Sequence, residues 1–240
     1  MAKILAHRGF SGKYPENTML AFRQAIAAGA EGVEFDVQLT KDGVPVILHD
    51  ESLLRTGGLD ALIRDLTYEE AARLDLAGPY RGQVEPQRLP TLEEYFRLVK
   101  DLDFLTNIEL KTSIFEYPGI EEKVIDLIRA YGLSDRVILS SFNHYSLLRV
   151  KALAPELPCG ILYECRIAEP QDYARVHHMD YLHPHELFLT PEELEKYAAA
   201  GIRANPWTVN DPNRMEELLS SPAVYAIITN HPDVALALRK

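Results

Sequence analysis

The chain has 240 residues, 47% of them hydrophobic, enough for one sizeable α/β core. Its formal charge of −11, from 25 basic and 36 acidic residues, argues against nucleic-acid binding, which needs a basic footprint. A phosphate ligand would be repelled at long range, so any phosphate site must be made locally positive by Arg, Lys or a metal ion.

The first apolar run, 4–7, reads as a strand and is broken at once by His7 and Arg8, too early for a secretory leader. Residues 18–28 read as a helix with Met19, Phe22 and Ile26 on one face, and Asn17 is expected to cap it. In the strand 33–39, Val33, Phe35, Val37 and Leu39 share one face, while Glu34, Asp36 and Gln38 share the other. Residues 46–49 read as a further strand ending at His49. From Glu51 to Arg88 the rhythm changes to Gly, Pro and charge, with a short helix signal at 67–74. Residues 51–88 are therefore expected to form an inserted cap segment within a single domain, 1–240.

Beyond the insertion the alternation resumes. Strands are expected at 104–111, 137–140, 160–163, 181–183, 202–207 and 226–229. Helices are expected at 92–99, 120–131, 145–153, 171–177, 191–200, 212–219 and 232–238. Thr91 with Glu94, and Thr190 with Glu193 around Pro191, are capping boxes. The βα rhythm predicts a parallel sheet, and about eight units fit a closed (β/α)8 TIM barrel, an open doubly wound sheet being the alternative. Cys159 and Cys165 do not make a disulfide framework. No apolar run approaches the roughly 20 residues that span a bilayer. The expectation is a cytoplasmic protein without stable membrane association.

In such a barrel the helices cover the apolar face of each strand. The polar face then points inward, where an unpaired carboxylate is costly. Residues 107–111 repeat the pattern, with Ile108 and Leu110 towards the helices and Asn107, Glu109 and Lys111 inward. Glu34, Asp36 and Glu109 could hold a hard cation, for which oxygen ligands favour Mg²⁺, Ca²⁺ or Mn²⁺ over zinc. An internal ion-pair network with Arg8 and Lys111 is the other reading of the same residues. His7 and His49, at strand ends beside cations, suit a general acid–base pair for a phosphodiester. His183 and His185 follow another strand towards the same face, whereas His177 and His178 fall on the surface.

Taken in order, His7-Arg8-Gly9, Pro15-Glu16-Asn17-Thr18, Glu34-Phe35-Asp36, His49-Asp50, Glu109-Leu110-Lys111, Ser141-Phe142 and Trp207-Thr208-Val209-Asn210 resemble the glycerophosphodiester phosphodiesterases over nearly the whole chain. No one of these tripeptides is specific, but the ordered set is. The resemblance implies a (β/α)8 barrel with an insertion after the second histidine motif. It implies that Glu34, Asp36 and Glu109 bind a divalent metal, that His7 and His49 are general acid and base, and that Arg8 and Lys111 contact phosphate. Trp207 would pack beside the substrate. The implied reaction is hydrolysis of small glycerophosphodiesters such as glycerophosphocholine or glycerophosphoethanolamine to sn-glycerol 3-phosphate and an alcohol. Lysophospholipid cleavage, or a non-catalytic phosphodiester-binding barrel, is the alternative. The chain departs from the family at Arg55-Thr56-Gly57-Gly58, where Arg-Thr-Thr is common, and at Thr229-Asn230-His231-Pro232, where Thr-Asp-x-Pro is common. Neither departure is expected to touch the metal or acid–base set.

Overall fold

Residues 1–239 are described here in a computed structural model. The chain opens with β1 (Lys3–His7), α1 (Met19–Ala28) and β2 (Gly32–Leu39), then turns back as the short β3 (Pro45–Ile47). The insertion carries α2 (Leu54–Gly57) and α3 (Tyr68–Ala71), and leads into α4 (Leu92–Val99). Strand and helix then alternate through β4 (Leu105–Leu110), α5 (Ile120–Ala130), β5 (Val137–Ser141), α6 (His144–Leu153), β6 (Cys159–Tyr163) and α7 (Pro170–Val176). The last turns are β7 (Tyr181–Pro184), α8 (Pro191–Ala200), β8 (Arg203–Ala204), α9 (Pro212–Ser220), β9 (Ala226–Thr229) and α10 (Pro232–Ala237). Both capping boxes form: Thr91 accepts from Glu94 N–H and Thr190 from Glu193 N–H, with each glutamate reaching back to the cap.

Among the described residues, eight strands run parallel in the order β8-β7-β6-β5-β4-β2-β1-β9. The two ends meet through the segment that follows β8. Tyr225 N–H donates to Ala204 C=O at 2.9 Å, Ile228 N–H to Pro206 C=O at 3.0 Å, and Val209 N–H to Ile228 C=O at 2.9 Å. This is the (β/α)8 barrel expected from the sequence.

Two strands differ from expectation. Residues 46–49 are not a barrel strand: β3 pairs antiparallel with β2, Val46 opposite Gln38. The reason is connection length. Residues 40–44 make a hairpin around Asp42-Gly43, with Gly43 at φ +76°, whereas a parallel crossover needs about a dozen residues or more. The expected strand 202–207 is regular only at Arg203–Ala204, because Pro206 has no N–H for a ladder.

Strand alternation sorts the side chains. Val33, Phe35, Val37, Ile108 and Leu110 are fully buried against the helices, with the Tyr95 ring edge-on to Phe35 at 4.6 Å. Leu5, Ala226 and Ile228 form a smaller cluster with Leu105, Trp207 and Tyr225 inside the barrel. The insertion has its own apolar nucleus of Leu53, Ile63, Ala71 and Leu76, packed on Val46, Leu48 and Leu89. Cys159 is buried, Cys165 is exposed, and both thiols are free. Among the described residues, no helix is long and apolar enough to cross a membrane.

Candidate active site

Register brings the polar residues together. On β1, Ile4 and Ala6 join the helix-facing core while Leu5 faces the interior, so His7 is inward by alternation. His7 pairs in register with Glu34, Glu34 with Asn107, and Asp36 with Glu109. The carboxylates of Glu34, Asp36 and Glu109 converge so that one oxygen of each lies within 4.8 Å of the others. His7, Arg8, Glu34, His49, Asn107, Glu109, Lys111, Phe142 and Trp207 line one cavity of about 260 Å³. Asp36 lies beneath it, 1% exposed.

The ion pairs read from the sequence are present, but they do not neutralise the cluster. Lys111 Nζ lies 3.1 Å from Glu109 and 3.9 Å from Asp36, and Arg8 Nε lies 3.6 Å from Asp36. Two cations thus face three buried carboxylates. Burial, reinforced by the charge of Asp36, pushes the Glu109 carboxyl up to about 7 despite Lys111. Burial and the charges of Asp36 and Glu109 push Glu34 well above the usual carboxylate range. Asp36 goes the other way: burial would raise it, but Arg8, His49, Lys111 and the Asn17 hydrogen bond together hold it low. A cluster that must take up protons to relieve its own charge is chemically matched to a divalent cation. The donors are all oxygens, which fits a hard ion. Arg8 Nε, Asn17 Oδ1 and Asn107 Oδ1 are buried polar atoms that make no hydrogen bond within the protein.

His49 reaches the cavity by the hairpin instead of by a barrel strand. Gln38 Nε2 holds this segment, lying 2.8 Å from Leu48 C=O, 3.1 Å from His49 C=O and 3.0 Å from Asp50 C=O. Its Oε1 accepts from Tyr117 O–H at 2.7 Å. His49 Nδ1 lies 2.7 Å from Asp50 Oδ1. His7 is more enclosed. Burial and the Arg8 charge lower it to about 4, against the Asn230 hydrogen bond and Asp36. Trp207 donates from Nε1 to His183 C=O at 2.9 Å and meets the Phe142 ring edge-on at 5.5 Å.

Several residues have parts that sequence patterns did not assign. Asn17 does not cap α1, since Thr18 accepts from Ala21 N–H. Asn17 instead donates from Nδ2 to Asp36 at 2.9 Å, from a left-handed backbone at φ +54°. Glu16 accepts from Arg8 at 2.9 Å and is gripped by both Arg55 amino groups at 2.7 and 2.8 Å. Arg55 also donates from Nε to Asp50 at 2.6 Å. Asn230 Oδ1 lies 2.6 Å from His7 Nδ1. Of the two departures from the family pattern, the one at Asn230 does adjoin His7, contrary to expectation, whereas at the other Arg55 keeps the family residue and the departing Gly57 faces Leu74 and Leu76. Contacts across 39 and 223 residues of chain have no local signature in the sequence. His183 is fully buried inside the barrel, where burial lowers it to about 3, and it bonds Asn205 at 2.9 Å. It fits only because residue 160 is glycine: a Cβ there would come within 2.1 Å of its ring.

Residues 7–234 match the model of the glycerophosphoryl diester phosphodiesterase family. A glycerophosphodiester phosphodiesterase of Caldanaerobacter subterraneus subsp. tengcongensis is 44% identical over 235 residues, covering 98% of this chain and 96% of that protein. A glycerophosphodiester phosphodiesterase of Bacillus altitudinis is 41% identical, covering 100% of this chain and 99% of that protein. Among solved structures, an Oleispira antarctica phosphodiesterase in complex with the product sn-glycerol-3-phosphate is similar, with a TM-score of 0.89 and 30% identity. That likeness covers 100% of this chain and 97% of the other.

Proposed function

The chain belongs to the glycerophosphoryl diester phosphodiesterase family and is thus a phosphodiester hydrolase, and from this premise we propose its substrate, ion and acid–base groups. The substrates are small glycerophosphodiesters such as glycerophosphocholine and glycerophosphoethanolamine, and the products sn-glycerol 3-phosphate and an alcohol. The single observation that carries this reading is the convergence of His7, His49, Arg8 and Lys111 on one cavity floored by three buried carboxylates.

Glu34, Asp36 and Glu109 would hold a divalent cation, Mg²⁺, Ca²⁺ or Mn²⁺, which supplies Lewis-acid charge for the phosphoryl oxygens when bound. Arg8 and Lys111 bind the phosphate. Asp36 and Glu16 aim the Arg8 guanidinium, and Glu109 and Asp36 aim the Lys111 ammonium. Trp207 and Phe142 wall the cavity, with Trp207 packing beside the substrate. Residues 51–88 act as a cap at its edge. His7, kept neutral by burial and Arg8, has a lone pair available at neutral pH and is suited to take the first proton. His49, paired with Asp50, returns one to the leaving oxygen.

In the route favoured here the 2-hydroxyl of the glycerol loses its proton to His7 and its oxygen bonds phosphorus. The bond to the headgroup oxygen breaks, and that oxygen takes a proton from His49. Water then opens the cyclic phosphate with the two roles exchanged. Substrates lacking the 2-hydroxyl test the route, and normal turnover of them would replace it with direct attack by water. His7→Ala and His49→Ala test the assignment. Each is expected to lower kcat on glycerophosphocholine by about 10²–10⁴-fold in folded, ion-loaded protein. Full activity in either variant would contradict the assignment.

A further inference from the structure

The two active-site histidines are oriented by chemically different partners. His49 Nδ1 faces the Asp50 carboxylate, itself fixed by Arg55. His7 Nδ1 faces a neutral side chain, lying 2.6 Å from Asn230 Oδ1. Asn230 is held from both sides. Its N–H donates to Asn210 Oδ1 at 3.0 Å, and its C=O accepts from Gly12 N–H at 2.9 Å. The Ser11 hydroxyl lies 3.0 Å from the same Oδ1 and 2.7 Å from His7 C=O, so ring and amide are tied to one loop. Gly12 is part of the fit, because a Cβ there would come within 2.6 Å of Asn230 C=O. The other ring nitrogen, His7 Nε2, lies on the carboxylate side, 3.8 Å from Glu34.

We infer that Asn230 is a positioning residue: its Oδ1 accepts from His7 Nδ1–H, fixes that tautomer, and leaves the Nε2 lone pair towards the carboxylates and the phosphate site. An imidazole accepts a proton only at an unprotonated nitrogen, and which nitrogen that is depends on the hydrogen bond made by the other. An aspartate at 230 could make the same bond, but it would add a negative charge against the His7 ring, whose other side already faces Glu34. The amide gives orientation without that charge. Asn210 acts one step further out, holding the backbone that carries Asn230. The inference rests on the reading of His7 as a proton-transfer group.

The test is long-range ¹⁵N–¹H correlation NMR of the histidine rings in the full chain, with kinetics on glycerophosphocholine. Wild-type His7 is expected to carry its proton on Nδ1. Asn230→Ala is expected to release the ring to both tautomers and to lower kcat by about 10²–10⁴-fold, the scale of a wrong-tautomer defect, with KM little changed. Asn230→Asp keeps the acceptor and is expected to keep the tautomer, with kcat within about tenfold of wild type. A wild-type His7 proton on Nε2, as when the amide NH₂ faces the ring, would overturn the inference, and that spectrum decides even if Asn230→Ala does not fold. An unchanged tautomer and kcat in folded Asn230→Ala would also overturn it. Full activity in His7→Ala is a separate result that would overturn the acid–base assignment instead.

Discussion

At the residue scale the governing quantity is charge in a confined space. Glu34 and Glu109 are held protonated more strongly than ordinary carboxyls, and a divalent cation bound as proposed would have to displace those protons. For Glu109 the folded value, about 7, lies above the unfolded value of 4.5. Its contribution to the ion-free fold is therefore present below 4.5 and lost as pH rises through about 7. His7, lowered to about 4, and His183, lowered to about 3, act in the opposite sense, stabilising the fold less as pH falls below 6.5. The readable quantity is thus the difference between ion-loaded and chelated protein. The melting-temperature gain from Mg²⁺, Ca²⁺ or Mn²⁺ is expected to grow from pH 4.5 to 7. It should reach about 5–10 °C at an ion concentration about a hundredfold above Kd. A gain that is constant or shrinks with pH across that window, measured by thermal unfolding, would contradict the coupling. The carboxylates themselves were legible from strand alternation. The Asn17–Asp36 bond was not, because an asparagine ahead of a helix has a cap as its commonest local use.

At the element scale, Arg55 joins the insertion to the site. Arg55, in α2, bridges Glu16 before α1 and Asp50 after β3, and so braces Arg8 and His49 together. Arg55→Ala is expected to lower kcat by about 10–100-fold, the usual range for a residue that orients another, without unfolding the barrel. Arg55→Lys should recover little, since an ammonium cannot replace the planar fork that grips two carboxylates. Wild-type kcat in Arg55→Ala would show that the insertion is a passive appendage. Helix ends were the most legible elements: Thr91-Glu94 and Thr190-Glu193 form the capping boxes their spacing announces. The short β3 was legible as a strand but not as an antiparallel partner of β2, because a run of apolar residues carries no sign of parallel or antiparallel pairing. The length of its connection did carry that sign.

At the scale of the whole molecule, the alternation of period-two and helical runs foretold a parallel barrel, and closure between β8 and β9 completes it. The barrel makes the site by bringing β1, β2 and β4 side by side, with the β2–β3 hairpin delivering His49 to the same mouth. Net charge and cavity chemistry then divide the labour. The acidic exterior has no affinity of its own for an anion, so on the proposed reading binding would depend on Arg8, Lys111 and an ion held by the carboxylates. The most direct measurement is release of sn-glycerol 3-phosphate from glycerophosphocholine and glycerophosphoethanolamine. It is made on chelated protein, then after Mg²⁺, Ca²⁺ or Mn²⁺ is restored, in wild type and in Glu109→Gln. No release is expected after chelation, with recovery by at least one ion in the wild type and little recovery in Glu109→Gln. Release that persists through chelation, or a Glu109→Gln variant restored as fully as the wild type, would contradict this.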